Sequence, residues 1–141
     1  MKTELTNIFV SISGVVMTLT FILGYFQFRY QGKIAKVSNQ MKLREMFDTE
    51  ARIYVHSKLR NDSKWAPSSQ EDWVKVDDYL GLFEICEKML QDKVLDDDMF
   101  KSSYLYRIEN ITNNISINEK LKSDEDWSLF KRLLDRYQLK Y

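Results

Sequence analysis

Few residues in this chain could carry chemistry. His56 is the only histidine. Arg52 precedes it by four residues, so the two share one face of a helix. Such a pair could offer proton transfer beside a fixed positive charge. No second polar constellation accompanies it, and a partly exposed helix residue accounts for His56 equally well. Cys86 is the only cysteine. A nucleophilic thiol needs a base, and His56 is the one candidate; a buried structural thiol on the apolar side of its segment is the simpler reading. Asp96, Asp97 and Asp98 are consecutive, whereas a calcium loop alternates its ligands around a central glycine. They fit a helix start instead. No Gly-rich phosphate loop, zinc spacing or serine triad occurs. The chain therefore reads as non-enzymatic, with no catalytic residue, cofactor or metal.

The elements that would position these residues begin with an apolar stretch. No charge occurs between Glu4 and Arg29. Ile8 to Phe28 is 21 residues, about 30 Å as a helix, which is the thickness of a hydrocarbon core. Twelve of these residues are Leu, Ile, Val or Phe, and Tyr25, Phe26, Phe28 and Tyr30 form an aromatic end. A cleaved signal is the wrong reading: the leading segment has one lysine offset by one glutamate, the apolar run is too long, and no small-x-small site follows. A core helix would need a polar face. The sequence thus predicts a single transmembrane helix over 8–28, an external tail over 1–7, a basic stalk over 29–41 and a cytoplasmic bundle over 42–141.

Orientation follows from flanking charge. Arg29, Lys33, Lys36, Lys42 and Arg44 precede the first acid on that flank, Glu45, which predicts an amino terminus outside the inner membrane and a carboxyl-terminal part on its cytoplasmic side. A lone cysteine agrees with a reducing compartment. Three glycosylation-type tripeptides, at Asn61, Asn110 and Asn114, weigh less than the charge rule. The same five cations are candidates for lipid headgroups. Between Arg29 and Arg60 eight cations face three acids, and from Asn61 onward twelve face seventeen. The distal domain is therefore acidic. That argues against nucleic acid and for a protein partner.

After the span, Tyr30, Ile34, Val37 and Met41 make a short heptad seam. Leu43, Phe47, Ala51 and Tyr54 start a new stripe, with Met46, Val55 and Leu59 beside it, on a helix expected to end near Arg60. The loop NDSKWAPSSQ follows, with Ser68 and Glu71 as a capping box. Its helix should run to about Gln91, with Trp73, Val76, Leu80, Phe83 and Leu90 on one face and Tyr79, Leu82, Cys86 and Met89 widening it. Asp96 is the expected cap of a helix buried through Phe100, Tyr104, Ile108 and Ile111. TNNISIN breaks the pattern. Ser123 is the expected cap of a last helix with Trp127, Phe130, Leu134 and Tyr137. Nothing alternates with period two, so the class is all-α, a bundle of about four helices.

Gly14, Thr18, Thr20 and Gly24 put small residues at helical spacing in the span, where backbones can approach closely. Together with the seam they predict a parallel homo-oligomer.

Two likenesses bear on function. Arg52 and His56 resemble the Arg–His element of helical ribonucleases of the higher-eukaryotic and prokaryotic nucleotide-binding class, though three residues separate them here and that class usually has at least four. A ribonuclease-type toxin is the alternative this implies. The run VDDYLGLFEICEKMLQDKVLDDDMF, followed by a helix, a break and DEDWSLFKRLL, resembles a group of uncharacterised bacterial proteins. That group has one amino-terminal span and a small helical domain. The matching positions are Arg52, Phe83, Glu84, Leu95, Asp96 and Trp127. The departure is the polar stretch NNISINEKLKSDED before the last helix. This resemblance implies no reaction; it implies an accessory or defence-system component. The leading expectation is a membrane-tethered interaction or signalling module. A stabilising subunit of a larger membrane complex is a further alternative.

Overall fold

The computed structural model describes the backbone from Lys2 to Tyr141, and the side chains of Met17 and of residues 19–141. The chain is all-α. Its helices are α1 (Lys2–Phe47), α2 (Glu50–Asn61), α3 (Gln70–Gln91), α4 (Asp97–Thr112), α5 (Ile115–Ser123) and α6 (Ser128–Arg136), with no strand among the described residues. It divides into two compact units, Met1–Ser38 and Asn39–Tyr141.

The first unit is the amino-terminal part of α1. The helix includes residues 2–7 of the expected external tail and passes unbroken through Gly32. Phe21, Leu23, Phe26, Phe28 and Tyr30 are all exposed, and a Cβ placed on Gly24 or Gly32 would meet nothing within 4 Å. Among the described residues no helix is long and apolar enough to cross a membrane. The expected span falls partly outside them: nothing is described of the side chains of 8–16 or of Thr18, and Gly14 lies in that part.

The second unit holds the core. Leu43 and Phe47 enter it from the last turns of α1. The single helix expected through to Arg60 is in fact broken at Asp48–Thr49, with Thr49 extended (φ −73°, ψ 147°). The break lets Leu43 and Phe47 on one side, and Val55 and Leu59 on the other, all reach the core. The Arg52 Nη1 donates to the Met46 carbonyl, one of the acceptors left open where α1 ends.

Helix α3 is central. It buries Val76, Tyr79, Leu80, Leu82, Phe83, Cys86 and Leu90, as the two-sided apolar pattern predicts, and also Glu87, which that pattern does not. Its cap is shifted by one residue from expectation. Ser69 accepts from the Asp72 amide at 3.1 Å, while the Asp72 carboxylate reaches back to the Ser68 amide and hydroxyl, each at 3.3 Å. Glu71 pairs instead with Lys75 at 2.7 Å. The helix ends with Lys93 in the left-handed region (φ 57°) and the Val94 amide donating back to the Met89 carbonyl at 2.9 Å.

Asp96 caps α4 as predicted, accepting from the Met99 amide at 3.1 Å. The stretch expected to be irregular is instead helix α5, capped by Asn114 (Ile117 amide to Asn114 Oδ1, 3.1 Å) and anchored by buried Ile117 and Leu121. The bundle thus has five helices beyond α1 where about four were expected. Ser123 ends α5 rather than capping α6, which begins after Trp127 and buries Phe130, Leu133 and Leu134.

Candidate functional site

Arg52 and His56 share a helix, as predicted, but serve different neighbours. Arg52 grips Asp78 on α3 with two bonds, Nε to Oδ2 at 2.8 Å and Nη2 to Oδ1 at 3.0 Å. Its remaining terminal nitrogen goes to Met46. The guanidinium therefore joins the end of α1, α2 and α3. His56 is half-buried against aromatic rings. Its Nδ1 lies 3.4 Å from the Tyr79 hydroxyl, and its ring packs edge-on to Tyr106 at 5.6 Å. Burial, and then the charges of Arg107 and Arg60, push the imidazole down to about 4. It is neutral at pH 7 and so is not an imidazolium acid there.

Behind it lies a cluster absent from the sequence expectations. The Arg107 guanidinium on α4 sits 5.0 Å from the Phe47 ring centre, 5.7 Å from Tyr104 and 5.8 Å from Tyr106. Its Nε donates to the Tyr106 hydroxyl at 3.1 Å. Phe47 and Tyr104 stack at 4.4 Å, with 18° between their planes. A cleft of about 310 Å³ opens here, lined by Arg44, Phe47, Asp48, Ser103, Tyr104 and Arg107.

Cys86 is buried, and burial pushes its thiol up to about 12, so it is a structural thiol at neutral pH. Among the described residues no group of acids, histidines and cysteines could hold a metal ion. Asp97 accepts from the Tyr137 hydroxyl at 2.8 Å, tying the start of α4 to the end of α6. Asn114 is fully buried, and its Nδ2 donates to the carbonyls of Ser63 and Trp65 at 3.2 and 2.7 Å. Its amide is thus a clamp on the α2–α3 loop.

The expected contact residues Thr20, Gly24, Tyr30, Ile34, Val37 and Met41 are exposed, as are the cations Arg29, Lys33, Lys36, Lys42 and Arg44. Arg29 lies over the Tyr25 ring at 5.7 Å, and Arg44 reaches Asp48 only loosely, at 3.9 Å.

No family model, curated protein or solved structure matches the chain. The six positions that carried the bacterial resemblance can be judged on what they do here, and each is structural. Arg52 and Asp96 act as described; Phe83 and Leu95 are buried, and Trp127 packs against the core. Glu84 has the least obvious role. Its Oε1 accepts from the amides of Leu129 and Phe130, at 3.1 and 3.2 Å. These are the second and third residues of α6, whose own preceding residue, Trp127, supplies no side-chain cap. A carboxylate from α3 thus does what an N-cap does, in the place where the helix dipole favours negative charge. Glu84→Ala should cost about 1–2 kcal/mol in urea unfolding, and Glu84→Gln should recover part of that because it keeps an oxygen acceptor. Equal losses in both variants would show that α6 does not depend on this oxygen.

Proposed function

We propose that the chain is a non-enzymatic, membrane-tethered interaction or signalling module. The amino-terminal part of α1 anchors it in the inner membrane with the amino terminus outside, and the bundle from residue 39 receives a protein partner on the cytoplasmic side. One observation carries this reading. The described apolar side chains of the first unit are exposed from Met17 to Tyr30, with Phe21 at 76% and Phe28 at 78%. At about 25 cal/mol per Å², such a surface is unfavourable in water and is relieved by lipid or by another chain. The aromatic end and the cations Arg29, Lys33 and Lys36 then suit an interface with anionic lipid.

Self-association belongs to the same reading. Gly24 faces open space, and Ile34 and Val37 are uncovered. The ribonuclease alternative calls for a guanidinium free beside the imidazole, whereas Arg52 commits its nitrogens to Asp78 and Met46. A stabilising subunit would cover the same helix surface with a different chain.

The full chain expressed in a bacterial host should stay in the membrane pellet after alkaline carbonate extraction. Single cysteines at Ile34 and Val37, in a Cys86→Ser background, should cross-link chain to chain, and one at Lys36 should do so less. Release by carbonate would sink the anchor. Cross-links only to a different protein would favour the subunit alternative.

A further inference from the structure

We propose that the cleft around Arg107, between the end of α1 and α4, binds a phosphate group. The proposal rests on the second unit alone and does not need the membrane reading.

Arg107 is half-buried, yet among the described residues no carboxylate pairs with it. The other guanidiniums drawn into the bundle are matched: Arg52 by Asp78 and Arg136 by Glu87. A cation withdrawn from water without a counter-ion is costly, and an anion would offset that cost. The rings of Phe47, Tyr104 and Tyr106 hold the guanidinium by cation–π contact. Hydrogen bonds to the Tyr106 hydroxyl, from Nε at 3.1 Å, and to the Tyr79 hydroxyl fix its plane. The fork is therefore set before any ligand arrives, which lowers the ordering cost of binding.

The class of anion follows from the rest of the lining. Arg44 borders the same cleft with its side chain 82% exposed and only a 3.9 Å contact to Asp48. Ser103 adds a hydroxyl. Two guanidiniums and a hydroxyl supply more donors than one carboxylate can use and suit the several oxygens of a phosphate. Asp48 opposes binding from the rim, so the anion sits toward Arg107 and Ser103. The phosphate could belong to a soluble phosphomonoester or to a phospholipid headgroup, and the two share this chemistry.

The single histidine makes the test direct. His56 feels the Arg107 charge, and an anion beside Arg107 would screen it. The full chain is held in neutral detergent micelles, and the one imidazole NMR signal is titrated with pH. One arm adds millimolar inorganic phosphate against chloride of equal ionic strength. The other dopes the micelles with phosphatidylglycerol against phosphatidylcholine. The imidazole pKa should rise by about half a unit or more in at least one arm. A response to free phosphate assigns a soluble ligand, and a response only to the anionic lipid assigns a headgroup. Arg107→Gln should abolish the response and Arg107→Lys should weaken it, because the lysine keeps the charge but not the fork, whereas Arg132→Gln on α6 should leave it intact. An unmoved pKa in both arms overturns the proposal whatever the variants do. So does a response that survives Arg107→Gln.

Discussion

Arg136→Ala should cost about 3 kcal/mol or more of stability at pH 7, a large share of what a domain of this size has. Glu87 is the reason. Its side chain is wholly removed from solvent, and Arg136 holds it with two bonds, Nε to Oε2 at 2.8 Å and Nη2 to Oε1 at 3.0 Å. Gln91 adds a third at 2.9 Å. Burial alone would raise the Glu87 pKa, but these bonds bring it below the ordinary carboxylate value. Removing Arg136 leaves the buried charge with the Gln91 bond and the weaker field of Arg132, and the group then answers by taking up a proton more readily.

The sign can be read with pH. In the native chain the depressed pKa means that stability is present above the unfolded value, near 4.3, and is lost as pH falls through the folded one. In Arg136→Ala the shift reverses, so protonation favours the fold and the deficit against the native chain should shrink between pH 7 and pH 5. Urea midpoints at the two pH values measure this. His56 lowers stability in both proteins over the same range, since its folded pKa of about 4 lies below the unfolded 6.5, and it cancels in the difference. A deficit that does not change with pH would mean that Glu87 is not buried as an anion.

The pattern of apolar residues announced most of the bundle. Helix α3 was legible because its apolar positions recur on two faces over 22 residues, and α4 because Asp96 caps it at the point where the stripe begins. What was hidden shares a cause: the decisive partner is distant in sequence. Glu84 caps α6 from 45 residues away, and no local rule assigns it that role. Ser123 satisfies the local rule for a cap, as Asp124 and Asp126 also do, yet none of them caps α6. Asn114 reads as a turn residue among Thr112, Asn113 and Ser116, yet it is a buried clamp that starts α5. Helices α3 and α6 end at Lys93 and Gln138 in left-handed conformations without glycine, so the usual stop signal is missing. The Arg107 cluster joins Arg44, Phe47 and Asp48 at the end of α1 to Ser103, Tyr104 and Arg107 of α4; each set has helical spacing, but no local rule brings the two together. The break at Asp48–Thr49 was invisible for a related reason. Nothing in DTE forbids a helix, and only the need to bury Leu43, Phe47, Val55 and Leu59 together imposes the turn.

Phe83→Ala should be the most damaging single truncation in the core, costing about 3–5 kcal/mol. The ring is fully buried on α3 and meets neighbours from three directions: Phe47 of α1 at 5.2 Å, Tyr79 one turn before it at 5.2 Å, and Phe130 of α6 at 6.0 Å. Two of these contacts are edge-on, the arrangement that adds to simple burial. The cavity cannot close easily, because each neighbour is pinned elsewhere. Phe47 stacks on Tyr104, Tyr79 is held against His56, and Phe130 follows amides fixed by Glu84. Relaxation is therefore partial, and the cost should sit high in its range. Phe83→Leu keeps most of the volume and should lose less than half as much. The loss should also reach the anion cleft, since Phe47 forms part of its wall: in Phe83→Ala the His56 imidazole should titrate closer to its ordinary 6.5 as water enters the ring cluster. A stability loss below about 1 kcal/mol in urea unfolding of the full chain, with the His56 titration unchanged, would mean that α1, α3 and α6 do not meet at this ring.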